Sequence, residues 1–109
     1  MNIENYLSED KFTTRKELEI RTGLTDRGVR NKISYLKKRI PVISNSKNKG
    51  YRLAKDIENL NNINEINAEL RQINICIAEI EARKKDLSRS EKTYISYKLK
   101  LEKKLNSLT

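Results

Sequence analysis

The feature that most restricts the fold is a set of residues at alternating three- and four-residue spacing in the second half of the chain. The set consists of Ile63, Ile66, Leu70, Ile73, Ile77, Ile80, Lys84 and Leu87. This spacing is a heptad repeat, which is typical of a helix that packs along its length on another helix. The sequence therefore predicts a long helix that ends near Leu87, with these residues on its inward side.

A second long helix is predicted directly afterwards. Ser88-x-x-Glu91 is a capping box, in which each side chain bonds a backbone N–H group of the first turn. The inward positions of this helix are Tyr94, Lys98, Leu101, Leu105 and Leu108. Folding the chain about residue 88 brings Leu101 close to Ile73 and aligns the two sets. We therefore predict an antiparallel helical hairpin or coiled coil within residues 56–109.

Two packed helices bury too little apolar surface to be stable alone. Ile75, Ile95 and Leu99 lie off the matched positions and would be exposed on an isolated hairpin. We therefore expect the hairpin to pack on a further surface, most simply on a second copy of the chain. The residues assigned to oligomerisation are Ile63, Ile66, Leu70, Ile73, Ile75, Ile77, Ile80, Ile95, Leu99, Leu101 and Leu105.

The first half of the chain, residues 1–55, carries the start and stop signals of short helices. Residues 2–8 predict a first helix, and a capping box at Thr14 begins a second one. Gly23 ends that helix, because glycine adopts the positive φ that a helix end often requires. Thr25 or Asp26 then caps a third helix, which we place at residues 25–39.

A β-hairpin follows the third helix. Val29, Ile33 and Leu36 form the inward stripe of that helix, and Pro41 stops it. Residues 42–44 and 51–53 predict two strands joined by an Asn- and Gly-containing turn. The fold class is therefore mainly α: a winged helix-turn-helix of three helices and a two-stranded wing, followed by the C-terminal helical hairpin.

The charge is distributed unevenly between the two halves. The chain has a formal net charge of +9, of which residues 1–55 carry +8 and residues 56–109 carry +1. Nine Lys or Arg residues and no Asp or Glu lie between Arg27 and Arg52. Such a segment attracts a polyanion, so double-stranded DNA is the expected partner of the first half.

The expected DNA contacts follow from this arrangement. In a helix-turn-helix, the helix after the turn reads base edges in the major groove, and lysines nearby meet phosphates. Residues of the first two turns, Thr25, Arg27, Arg30 and Asn31, are assigned to the major groove, and Asp26 is assigned a capping role. The expected backbone and minor-groove contacts are Thr14, Arg15, Lys32, Lys37 and Lys38, with Lys47, Lys49 and Arg52 of the wing, residues 42–53.

Residues 15–54, "RKELEIRTGLTDRGVRNKISYLKKRIPVISNSKNKGYRLA", resemble the winged helix-turn-helix of the biotin-operon-repressor type. They are more similar still to small DNA-binding proteins of phages and prophages of low-GC Gram-positive bacteria. The pieces that carry the resemblance are Thr22-Gly23-Leu24-Thr25, Arg27 with Val29-Arg30, Ile33 with Leu36, Ile40-Pro41-Val42-Ile43-Ser44 and Lys49-Gly50-Tyr51. The resemblance implies sequence-directed DNA binding. One departure is Glu19, with Ile20 after it, because the family usually has a small residue directly after the leucine, here Leu18.

Catalysis is not expected. The chain has no His, and Cys76 is its single cysteine, so a metal site is not predicted and no cofactor is implied. No glycine-rich phosphate loop is present. We interpret Cys76 as a small apolar residue of the core.

Two functions remain open at this stage. The first is a dimeric transcription regulator or accessory protein, possibly from a phage, that binds DNA through the first half. The second is an adaptor whose coiled coil recruits a replication or transcription partner and uses DNA only as an anchor; Ile75, Ile95 and Leu99 would then contact that partner. The sequence has no long apolar run and no basic-then-apolar leader, which favours the cytoplasm.

Overall fold

The structure, a computed structural model, describes residues 2–45, 50–83 and 88–109. Within these residues the chain is mainly helical, with a small antiparallel sheet and a C-terminal helical hairpin, as the sequence predicts. The helices are α1 (Arg15–Thr22), α2 (Asp26–Leu36), α3 (Ile63–Arg83) and α4 (Ser88–Leu108), and the strands are β1 (Thr13–Thr14), β2 (Val42–Asn45) and β3 (Gly50–Leu53). Two short 3-10 helices cover Ile3–Tyr6 and Ile57–Asn59.

The predicted caps of α1 and α2 are confirmed. Thr14 Oγ1 accepts a hydrogen bond from the Glu17 N–H at 3.1 Å, and Thr25 Oγ1 accepts one from the Gly28 N–H at 3.1 Å. Gly23 ends α1 with a φ of 75°. Two boundaries differ from the prediction. The first segment is a single 3-10 turn rather than a helix over 2–8, and α2 ends at Leu36.

The β-hairpin is present, and it belongs to a three-stranded sheet. β2 and β3 pair antiparallel, with Val42 opposite Leu53 and Asn45 opposite Gly50. β1 pairs with the other edge of β3, so β3 is the central strand. The two-residue β1 was not predicted because it is too short to show a period. Lys47 and Lys49 of the predicted wing lie outside the described residues.

The sheet separates two apolar cores. The helix-side core packs α1, α2 and the first 3-10 helix on one face of the sheet; its buried members are Ile3, Leu7, Leu18, Val29, Ile33, Leu36 and Val42. The hairpin-side core packs α3 and α4 on the other face; its buried members are Ile43, Leu60, Ile66, Ile73, Cys76, Ile77, Tyr94 and Leu101. Val42 and Ile43 point to opposite faces because successive strand residues alternate.

The hairpin therefore packs on the sheet of its own chain. This corrects the assignment of the matched positions of α3 and α4 to oligomerisation, since the sheet of the same chain is the further surface on which the hairpin packs. Ile66, Ile73 and Leu101 are fully buried within one chain, and Ile77 is 9% exposed. Leu70, Ile80 and Leu105 are partly buried against the same core. The segments 1–55 and 56–109 share this core, because Ile43 of the first packs with the hairpin of the second.

Polar contacts join the two segments at the same surface. The Tyr94 hydroxyl donates to the Val42 carbonyl at 2.5 Å and accepts from the Val42 N–H at 3.0 Å. The Tyr97 hydroxyl donates to the Lys55 carbonyl, and the Thr93 hydroxyl donates to the Lys38 carbonyl at 2.9 Å. These bonds occupy backbone groups that would otherwise be unpaired beside the sheet.

The apolar residues off the matched positions are exposed, as expected. Ile75, Ile95 and Leu99 are 53%, 38% and 60% exposed, and Ile63 is 40% exposed. Ile20 is 75% exposed on α1, and only Leu18 of that helix is buried. In the described ranges, no helix is both long enough and apolar enough to cross a lipid bilayer.

Candidate nucleic-acid interface

Helix α2 separates its residues into a buried and an exposed face. Val29, Ile33 and Leu36 are at most 2% exposed and fix the helix on the helix-side core. The opposite face presents Arg27, Asn31 and Ser34 at spacings of four and three, and all three are exposed. Since the helix turns every 3.6 residues, these side chains share one face. Ser34 was not among the predicted contacts, although its spacing places it there. Lys38 is also exposed and lies in the turn that follows Leu36.

Asp26 connects two of the predicted arginines. Its carboxylate lies 3.1 Å from Arg30 Nε and 3.7 Å from Arg15 Nε. The cap of α2 is Thr25, so Asp26 acts as an ion-pair partner and not as the cap. The three side chains remain partly exposed, so the pairs contribute little to stability. The two ion pairs hold Arg15 and Arg30 together at one flank of α2. The three side chains together carry a net charge of +1.

The lysines of α2 and of the turn after it lie in different surroundings. Lys37 is half-buried; its ammonium donates to Ser44 Oγ at 3.1 Å and lies 6.0 Å from the centre of the Tyr51 ring. Lys32 and Lys38 are exposed, and Lys38 Nζ lies 5.7 Å from the centre of the Tyr35 ring. Lys37 is therefore tied to the sheet, while Lys32 and Lys38 extend from the helix surface.

An open groove of about 480 Å³ runs between α2 and the sheet. Arg15, Arg30 and Lys37 line it, together with Glu79 of α3. A second open groove of about 590 Å³ lies on the other flank of α2, where Lys32 and Arg39 accompany apolar side chains. Thus the predicted cations other than Lys47, Lys49 and Arg52 lie on three sides of α2.

Arg52 is the one predicted contact that the structure contradicts. Its side chain is buried, and its guanidinium forms a two-point ion pair with the Glu69 carboxylate of α3. Phe12 packs on it, with 5.4 Å between the guanidinium carbon and the ring centre. Alternation along β3 explains the error, since Tyr51 and Leu53 face the helix-side core and Arg52 faces the hairpin.

The burial of Arg52 had a signal in the sequence. Glu69 lies one turn from both Ile66 and Ile73, among the inward positions of α3, and it is 2% exposed. A carboxylate at such a position requires a cationic partner. Glu69 also accepts from the Lys55 N–H at 3.1 Å. The pair Arg52–Glu69 therefore holds β3 against the hairpin and is not available to a ligand.

A small cavity of about 50 Å³ lies between α2, α3 and α4, with room for a water molecule or two. Cys76 and Ser90 line it, and Ser90 Oγ is buried with no hydrogen-bond partner among the described residues. Burial raises the pKa of the Cys76 thiol, which makes it a poor nucleophile. The described residues contain no group of three or more His, Cys, Asp or Glu side chains that could hold a metal ion.

Comparison of the chain with protein-family profiles, with curated protein sequences and with solved structures finds no match.

Proposed function

We propose that the chain binds double-stranded DNA in a sequence-directed manner, with α1 and α2 as a helix-turn-helix and the β2–β3 hairpin as its wing. The observation that carries the proposal is the exposed face of α2. It presents Arg27, Asn31 and Ser34, with Lys38 in the turn directly after the helix, and no carboxylate lies among them. The opposite face is fixed in the core. A helix of this kind fits the width of the major groove.

Each side chain has a distinct proposed role. Arg27 meets a guanine edge or a phosphate, and Asn31 pairs with adenine through its amide. Lys32 and Lys38 meet phosphates on either side of the groove. Arg15 and Arg30, joined by Asp26, meet the backbone beside the start of α1, where free backbone N–H groups also favour an anion. Thr14 is proposed to support DNA binding only by capping the start of α1.

The remaining predicted contacts are proposed to contribute to DNA binding in different ways. Lys47 and Lys49 are kept as contacts of the wing tip with the DNA backbone or minor groove. Lys37 is kept as a groove-lining charge, since its ammonium lies between α2 and the sheet. Thr25 acts through the cap that fixes the start of α2. The proposed role is that of a transcription regulator or accessory protein.

The test is selection from a pool of random DNA duplexes at two salt concentrations. The expected result is enrichment of a short motif whose retention weakens as salt rises. Arg27→Ala should weaken binding to that motif by about 1–3 kcal/mol. Lys103→Ala removes an exposed charge from α4 and serves as the control, with an unchanged motif and affinity. Absence of retention even at low salt overturns the proposal.

A second candidate function rests on the hairpin. The exposed Ile75, Ile95 and Leu99 are large apolar residues on the side away from the sheet. An adaptor would use them to recruit a protein partner and would need DNA only as an anchor. Salt-sensitive retention of DNA with no enriched motif would favour this function over sequence-directed binding.

A further inference from the structure

Helix α3 carries a second heptad set on the side opposite its buried residues. The set follows spacings of four, three, four, three and four and consists of Asn64, Ala68, Arg71, Ile75, Ala78 and Ala82. Five of the six are exposed, and Ala68 is half-buried. One side of α3 therefore packs on α4 and the sheet, and the other has the spacing of a helix that packs on another helix.

Helix α4 extends this surface. The antiparallel hairpin that brings Ile73 near Leu101 sets Ile75 and Leu99 at the same height, two residues further along each helix. Ile95 lies one turn before Leu99 on the same side of α4. We call these residues the outer hairpin face: Asn64, Ala68, Arg71, Ile75, Ala78, Ala82, Ile95 and Leu99. It lies on the far side of the hairpin from the sheet, and α1 and α2 lie beyond the sheet.

The α3 part of the outer hairpin face is poor in charge, since Arg71 is the one charged residue among its six. On the α4 part, Lys92 lies one turn from Ile95 and Lys103 lies one turn from Leu99. A helix face that is exposed to solvent normally carries charged side chains. Its central residue is instead Ile75, which is 53% exposed, beside Leu99, which is 60% exposed. Low charge around exposed large apolar side chains is typical of a contact surface.

We propose that the outer hairpin face binds the same face of a second copy of the chain, in an antiparallel arrangement. A two-fold axis beside Ile75 lets that residue meet its own copy. It also sets Ala68 level with Ala82 of the second copy, and these small residues let the helices approach closely. Because both copies use the same residues in this contact, it gives a closed dimer and not an open chain of copies.

The available area agrees with a second copy as the occupant. Each helix of the hairpin has 21 residues, which corresponds to a length of about 31 Å. Two helices about 10 Å apart present a face of about 600 Å² per copy. Two such faces bury about 1,200 Å² in total, at the lower end of the range for stable interfaces. The proposal is independent of DNA binding, since α2 is not part of the contact.

The first measurement is the mass in solution of the full chain, by light scattering after size exclusion at about 100 µM. The expected mass is twice the 12.8 kDa of one chain. Ile75→Asp should give a monomer that keeps the helical circular dichroism of the wild type, since Ile75 is exposed. Ile20→Asp is the matched control, because Ile20 is 75% exposed on α1 and should leave the dimer intact. A monomeric wild type, or an Ile75→Asp dimer, overturns the proposal.

The position of the axis has its own test. Ile75→Cys should form a disulfide between two copies under mild oxidation, because the axis brings the two introduced thiols together. The wild type, whose Cys76 is buried, is the negative control, and Ile20→Cys measures random collision. If Ile75→Cys forms cross-links no faster than Ile20→Cys does, the proposed position of the axis is wrong. DNA retention is measured separately, so failure of the dimer and failure of DNA binding are distinguishable.

Discussion

Tyr94 joins the hairpin to the sheet through one hydroxyl group, and its removal tests whether the two halves of the chain fold as one unit. β2 is an edge strand, and the N–H and C=O groups of Val42 both bond to the Tyr94 hydroxyl. Tyr94 is 1% exposed and Val42 is fully buried. Tyr94→Phe keeps the ring in the hairpin-side core and removes only the oxygen.

The expected cost follows from the two backbone groups that lose their partner. A buried polar group without a hydrogen bond costs about 1–3 kcal/mol. Tyr94→Phe leaves the N–H and C=O groups of Val42 without a partner, but it also removes the cost of burying the hydroxyl group. The net effect that we expect is a loss of about 2–4 kcal/mol in the free energy of unfolding. The assay is urea unfolding followed by circular dichroism, in which that loss lowers the midpoint by about 1–2 M.

Two other tyrosines provide matched controls. Tyr97→Phe removes one hydrogen bond, to the Lys55 carbonyl, from a half-buried residue and should cost about 1 kcal/mol. Tyr35→Phe should cost close to nothing, because Tyr35 is 69% exposed. If Tyr94→Phe costs no more than Tyr97→Phe, the hydroxyl does not hold the edge of β2. Two separate unfolding transitions in the wild type would refute the shared core.

Three further outcomes are expected. Glu69→Gln should lower the free energy of unfolding by about 3–5 kcal/mol in urea titrations, because it leaves the buried Arg52 guanidinium without an opposite charge; Arg52→Met combined with Glu69→Leu should cost less than the single change. Cys76 should react with a thiol reagent at pH 8 far more slowly in the native protein than in urea, and equal rates would contradict its burial and its raised pKa. Burial also raises the pKa of Tyr94 and the pKa of Tyr97 above the ordinary value near 10, so the unfolded chain loses these protons first. The free energy of unfolding should therefore fall above about pH 10 by up to about 1.4 kcal/mol per pH unit for each tyrosine, and Tyr94→Phe should remove the share of Tyr94 alone.

The parts of the fold that the sequence predicts are those fixed by local interactions. The caps at Thr14 and Thr25 bond backbone groups three residues away, and Gly23 ends α1 through its own φ angle. The hairpin of α3 and α4 also follows from local spacing, because a heptad repeat identifies which side of a helix is buried. These features need no knowledge of distant contacts, so a single sequence contains them.

The parts that the sequence does not predict depend on which surfaces meet. A heptad repeat indicates that Ile66 and Ile73 are buried, but it does not identify the surface that covers them. In this fold that surface is the sheet around Ile43 together with α4, so a second copy is not needed there. Arg52 is misassigned for the same reason, since a basic charge count does not distinguish a residue that faces water from one that faces Glu69.

The position of Arg52 also affects how the proposed DNA contacts work together. Its pair with Glu69 and the bonds of Tyr94 connect the sheet to the hairpin, so α2 and the outer hairpin face belong to one packed unit. A single recognition helix contacts few base pairs, and two linked copies bind far more tightly than either alone if their geometry matches the DNA. With a packed connection, the distance between two α2 helices is set by the contact at Ile75 and not by a flexible linker. In the proposed dimer the exposed faces of the two α2 helices point away from each other, because α2 and the outer hairpin face lie on opposite sides of the packed unit. The proposed dimer would therefore join two separate segments of DNA at a fixed distance, and would not read two adjacent half-sites.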